Sequence, residues 1–149
     1  MAYVKLYEEF IKEYNKYFIF YYIKSKKMSF LPENIDNYVV NHSQKEPELL
    51  QQLNKETWQK VLNPRMLSGS YQGRLLSIIS KLIQPKNILE IGTYTGYSAL
   101  CLAEGMQKDG QLITIDKNEE LENFAKKYFN KSAYKKQIYQ VVGNALDVI

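Results

Sequence analysis

Residues 87–142 alternate short apolar stretches with amphipathic ones, and no other feature of the chain constrains its fold as strongly. Asn87–Ile91 reads as a short buried strand, residues 97–107 as a helix and Gln111–Asp116 as a second strand. Residues 119–129 read as another helix and 137–142 as a third strand, with Asp109-Gly110 as a turn. Strands separated by helices pair in parallel through right-handed crossovers, so the expected fold is α/β with a doubly wound sheet. The upstream elements are expected to be helical. Pro32 suits a first turn, followed by Ile35, Tyr38, Val39 and His42 on one face. Residues 47–62 form a second helical stretch, with Leu49, Leu50, Leu53, Trp58 and Val61 on its apolar side, until Asn63-Pro64 breaks it. Residues 65–73 read as a loop around Ser68-Gly69-Ser70. A helix to about Ile83 follows, with Leu75, Leu76, Ile78, Ile79 and Leu82 apolar and Pro85 ending it.

A ligand on such a sheet sits beyond the C-terminal strand ends. There the sequence reads Glu90-Ile91-Gly92-Thr93-Tyr94-Thr95-Gly96-Tyr97-Ser98. Gly92 follows the strand, where the chain must turn tightly, and Gly96 opens the helix. A dinucleotide site needs G-x-G-x-x-G so that the backbone can approach a pyrophosphate. Here Tyr94 occupies the second glycine position, and Glu90 sets a carboxylate where phosphates would be repelled. A cationic ligand fits better, and S-adenosylmethionine has an ammonium, a sulfonium and no phosphate. Asp116 ends the second strand, where a carboxylate accepts hydrogen bonds from ribose hydroxyls; NAD sites share that role, so Asp116 alone does not discriminate.

The stretch Glu-Ile-Gly-Thr-Tyr-Thr-Gly-Tyr-Ser-Ala from Glu90 resembles the cofactor motif of the cation-dependent O-methyltransferases, the catechol and caffeoyl-CoA type. Arg65–Gly73 resembles that family's loop before the helix preceding the first strand. Leu112–Asp116 resembles its ribose-binding strand end, and Gly143-Asn144-Ala145-Leu146 its adenine-side turn. The likeness runs from about Phe30 to the C-terminus and implies a Rossmann-like class I methyltransferase fold. It implies Met66 and Ser68 at the methionine end of S-adenosylmethionine, Gly92 and Tyr94 against the methionine moiety, and Gly96 in the loop. It implies Ser98 on the carboxylate, Glu90 at the amino end, Asp116 on the ribose, and Asn144 and Ala145 beside the adenine. It further implies methyl transfer to a hydroxyl of a small catechol-like acceptor, assisted by Mg²⁺ or another divalent cation, and leaves a homodimer, as in the family, open. The family's metal carboxylates and catalytic lysine follow a fourth strand, whereas this sequence stops just past the third. The expectation is therefore a cofactor-binding half, inactive and weakly stable alone. The rival readings are half of an NAD-type oxidoreductase and a non-catalytic remnant.

Composition narrows the partners. The net charge of +4 could suggest nucleic acid, but residues 1–27 carry six lysines against three glutamates, leaving the rest nearly neutral. That Tyr- and Lys-rich stretch reads as an extension separate from a domain over residues 28–149; an amphipathic helix packing on a partner is the alternative. The longest apolar run, residues 17–23, is far shorter than the roughly 20 residues a helical span needs, and acidic residues before it argue against a signal peptide. The single cysteine, Cys101, fits a reducing cytoplasm and the small buried role of a free thiol.

Overall fold

A computed structural model of the chain describes residues 31–149, and the chain divides into two units between Tyr38 and Val39. The expectations for residues 1–27 lie outside the described residues. Helix α1 (Glu33–His42) starts as Pro32 predicts, its carbonyl accepting from the amides of Ile35 and Asp36 at 2.9 Å. The predicted apolar stripe is not buried: Ile35 and Tyr38 are exposed, and no residue of the helix is buried.

The second unit holds α2 (Glu48–Lys60), a 3-10 turn (Pro64–Met66), α3 (Gly69–Ile83), β1 (Asn87–Ile91) and α4 (Tyr97–Ala103). It continues with β2 (Gln111–Asp116), a 3-10 turn (Glu119–Leu121), α5 (Glu122–Lys131), β3 (Ile138–Val142) and α6 (Ala145–Val148). The sheet is parallel, in the order β1-β2-β3. Its register sets Glu90 beside Thr114, and Asp116 beside Val142. Because side chains alternate along a strand, Ile88, Glu90, Leu112, Thr114 and Ile138 share one face. Leu112 and Ile138 there join Leu50 and Leu53 of α2, Ala99–Ala103 of α4, and Ala125, Tyr128 and Phe129 of α5 in one core. Leu89, Ile91 and Tyr139 point to the other face and are more than half exposed.

Strands β1 and β2 match the sequence reading; the helices depart from it for packing reasons. Helix α2 stops at Lys60, and Val61 is already extended (φ −105°, ψ 138°). Helix α3 begins at Gly69, inside the stretch read as a loop. Gly73 lies in that helix because a Cβ there would stand 2.6 Å from the Tyr97 ring and 2.8 Å from Cys101 Sγ. Its role is close helix contact, not a turn. The buried side of α3 is Gly73, Arg74, Ser77 and Ser80, while Leu75, Ile78, Ile79 and Leu82 of the expected core stripe are exposed. What selects the polar side is Glu104, just past α4, which accepts from Arg74, Ser77 and Lys81. Helix α4 is shorter than expected because Gly105 lies on the α3 backbone, where a Cβ would be 2.2 Å from the Lys81 nitrogen. Cys101 is fully buried, and burial pushes its thiol up to about 12, which keeps it inert. Among the described residues no helix is long and apolar enough to cross a membrane.

Candidate functional site

The C-terminal ends of the three strands converge on one edge of the sheet. The loop after β1 crosses to β2 at once: the Gly92 amide donates to the Ile115 carbonyl at 2.8 Å. Gly92 has φ +99°, and a Cβ there would meet nothing within 4 Å, so its backbone faces open space beyond the strands. Gly96, at φ +85°, serves packing instead; a Cβ would fall 2.6 Å from the Phe129 ring. The close approach at Gly96 is thus to α5. Between the glycines, Tyr94 adopts φ +48°, uncommon for a bulky residue. Two bonds hold it there. Its amide donates to Asp116 Oδ2 at 2.7 Å, and its hydroxyl donates to the Asn63 carbonyl at 2.7 Å.

Asp116 is therefore aimed rather than loose. Its other oxygen accepts from the Asn118 amide at 2.9 Å, and its carbonyl accepts from the Gly143 amide at 2.8 Å. That last bond draws the turn after β3 alongside. In the turn, Asn144 caps α6, its side chain accepting from the Leu146 amide at 3.3 Å, and Ala145 starts the helix. Through Tyr94, the Asn63 bond also ties in the turn that carries Met66, whose side chain is exposed. Ser68 sits at the N-terminal boundary of α3, with no side-chain capping bond.

Glu90 is nearly buried under the loop. Oε1 accepts from Ser98 Oγ at 2.5 Å and Oε2 from Thr114 Oγ1 at 2.6 Å. Burial pushes its carboxyl above the usual range, the two hydroxyls pull it back, and the Asp116 charge pushes it up further. Ser98, expected on a ligand carboxylate, is bonded here to Glu90. Thr114, together with Thr93 at 2.6 Å from it, is a buried part of the site that the sequence reading missed. The signal was a polar residue on the inward face of an apolar strand.

The structure thus joins Glu90, Gly92, Tyr94, Gly96, Ser98, Asp116, Asn144 and Ala145 in one bonded neighbourhood, with Met66 linked at one remove through Asn63, while Ser68 takes no part in these bonds. Two carboxylates at the strand ends suit hydroxyl and ammonium donors and oppose a pyrophosphate. No group of three or more His, Cys, Asp or Glu among the described residues could hold a metal ion, so the cation implied by the resemblance has no ligand set here.

A three-stranded parallel sheet with its intervening helices is the arrangement of a Rossmann-like methyltransferase fold. The chain belongs to the O-methyltransferase family, whose model matches residues 40–149. It is 33% identical over 86 residues to a catechol O-methyltransferase of Niastella koreensis, covering 58% of this chain and 39% of that protein. It is 33% identical over 105 residues to caffeoyl-CoA O-methyltransferase 2 of Petunia hybrida, covering 70% of this chain and 43% of that protein. Among solved structures, the O-methyltransferase TomG of Streptomyces achromogenes, in complex with S-adenosylmethionine, superposes with a TM-score of 0.70 at 32% identity, covering 77% of this chain and 51% of that one. The O-methyltransferase of Bacillus cereus, in complex with S-adenosylhomocysteine, gives 0.71 at 26% identity, covering 77% and 52%. The chain spans 39% and 43% of the lengths of the two curated relatives.

Proposed function

We propose that this chain binds S-adenosylmethionine at the C-terminal ends of its strands and serves O-methyl transfer to a small-molecule hydroxyl acceptor. The observation that carries the reading is the pairing of an anchored Glu90 under an open Gly92 loop with an Asp116 carboxylate held by the amides of Tyr94 and Asn118. When bound, S-adenosylmethionine supplies a methyl group activated by its sulfonium. Glu90 accepts from the ligand ammonium, and Asp116 accepts from the ribose hydroxyls, the charge strengthening both bonds. The Gly92 backbone admits the methionine moiety, Tyr94 flanks it and Gly96 keeps the loop close to α5. Ser98 turns from Glu90 to the ligand carboxylate, which frees Glu90 Oε1. Met66 and Ser68 close the methionine end; Asn144 and Ala145 border the adenine.

The catechol and caffeoyl-CoA relatives support an acceptor with adjacent phenolic oxygens. We further infer that residues 28–149 are the cofactor-binding domain and 1–27 an extension to it. A cytoplasmic setting is supported by the buried, unpaired Cys101. Calorimetric titration with S-adenosylhomocysteine and with NAD⁺ tests the cofactor. Binding of the first and not the second is expected; binding of NAD⁺ alone, or of neither, overturns the proposal.

A further inference from the structure

The buried hydroxyls beneath the glycine loop form a directed chain. An ionised Glu90 can only accept, so the 2.6 Å contact at Oε2 must use the Thr114 proton. A threonine hydroxyl has one proton. The 2.6 Å contact between Thr93 and Thr114 must then use the proton of Thr93. The order is Thr93 O–H to Thr114 Oγ1, and Thr114 O–H to Glu90 Oε2. Thr93 and Thr114 are 1% and 0% exposed, so water does not compete for these bonds. Such a chain polarises along its length, the first donor strengthening the second. It also joins three elements: the loop (Thr93), β2 (Thr114) and β1 (Glu90). The opposite carboxylate oxygen, Oε1, is held by Ser98, which is only half-buried and sits on the ligand side at the start of α4.

We propose that Thr114, backed by Thr93, is a positioning residue that clamps Oε2 of Glu90 so that Oε1 is the oxygen presented to a ligand ammonium. The inference deepens the cofactor reading and rests on it. The asymmetry is the basis of the clamp: one oxygen is bonded by a fully buried donor that water does not reach, the other by a half-buried donor that can leave. Burial first, and then the charge of Asp116 on β2, push the Glu90 carboxyl up, so the hydroxyls on both oxygens matter for keeping it ionised.

The test uses the full chain carrying Thr114→Val, Thr114→Ser or Thr93→Val, with circular dichroism to verify folding. In the ligand-free chain, carbon-13 NMR of the Glu90 carboxyl should give a higher titration midpoint for T114V, a smaller rise for T93V and the wild-type value for T114S. An unchanged midpoint in both valine variants overturns the clamp. If T114V does not fold, T93V carries the same test. In binding, T114V should weaken S-adenosylhomocysteine by about tenfold and leave the analogue lacking the amino group unaffected. Equal loss on both ligands would mean a merely structural role and also overturns the proposal. A wild-type chain that binds neither ligand removes the cofactor reading, while the ligand-free titration still judges the hydroxyl chain.

Discussion

The polar contact between α3 and α4 yields the most demanding prediction. Arg74 is 4% exposed and grips Glu104 with two bonds, Nη2 to Oε1 at 2.6 Å and Nη1 to Oε2 at 2.9 Å. Ser77 adds a third bond to Oε2 at 2.6 Å and Lys81 a fourth at 3.1 Å. Burial pushes the Glu104 carboxyl up, but Arg74, Ser77 and Lys81 outweigh it and hold it below the usual range. Glu104→Gln leaves the buried guanidinium unpaired, which costs about 3–5 kcal/mol; the lower end applies because Glu104 keeps 15% exposure. A domain stable by roughly 5–15 kcal/mol loses much of its margin. Arg74→Met with Glu104→Leu should behave otherwise. The pair removes both charges together with the buried Arg74 Nε, which has no hydrogen-bond partner, and apolar replacement of a buried pair is often neutral. We expect the double variant within about 1 kcal/mol of wild type. Urea melts at neutral pH read both values as midpoint shifts at constant slope. The sign with pH follows from the lowered carboxyl. The network's stabilisation is complete above the ordinary value of 4.5 and is lost as pH falls through the folded-state value, so wild type and Glu104→Gln converge in acid. A double variant as unstable as the two single changes combined would refute the reasoning.

Four further outcomes follow from particular contacts. Gly73→Ala should destabilise by about 1–3 kcal/mol through overpacking against Tyr97 and Cys101, despite alanine's helix preference; a thermal midpoint at or above wild type would refute the close approach. Asp116→Ala should weaken S-adenosylhomocysteine binding by about 1.5–3 kcal/mol in calorimetry, from lost charge-assisted bonds, and unchanged affinity would remove its ribose role. Lys127, then Lys60 and Tyr128, hold the Glu56 carboxyl at about 2 instead of 4.5; its contribution to stability is complete above 4.5 and is lost toward pH 2, so Glu56→Gln should lessen the fall of urea midpoints over that range. Leu82→Lys, on the exposed apolar side of α3, should raise solubility and reduce light scattering with little change in the melt.

These contacts also explain which parts of the molecule were legible in sequence. Strands β1 and β2 are read correctly because their signal is local: apolar runs bounded by Lys86, Gly92 and Gly110, each the length of one strand. The Gly92 loop is legible because a turn at positive φ leaves a glycine behind. Helix α3 is legible in existence but not in orientation. Its apolar residues have the helical period, yet the face that packs is the one with Gly73, Ser77 and Ser80. Those are small because α4 comes close, and they are polar because Glu104 comes with it, a residue 30 positions beyond Arg74. No periodicity within α3 carries that information. The same holds for Thr114. Alternation along Gln111–Asp116 puts it on the core face, where a threonine is unremarkable taken alone. Its meaning arises from register, since a parallel pairing that sets Thr114 against Glu90 converts a tolerated hydroxyl into the donor a buried carboxylate requires. Functional polar residues inside a parallel sheet are therefore found by asking which inward acid lacks a donor on its own strand, and then reading the residue that the neighbouring strand sets beside it.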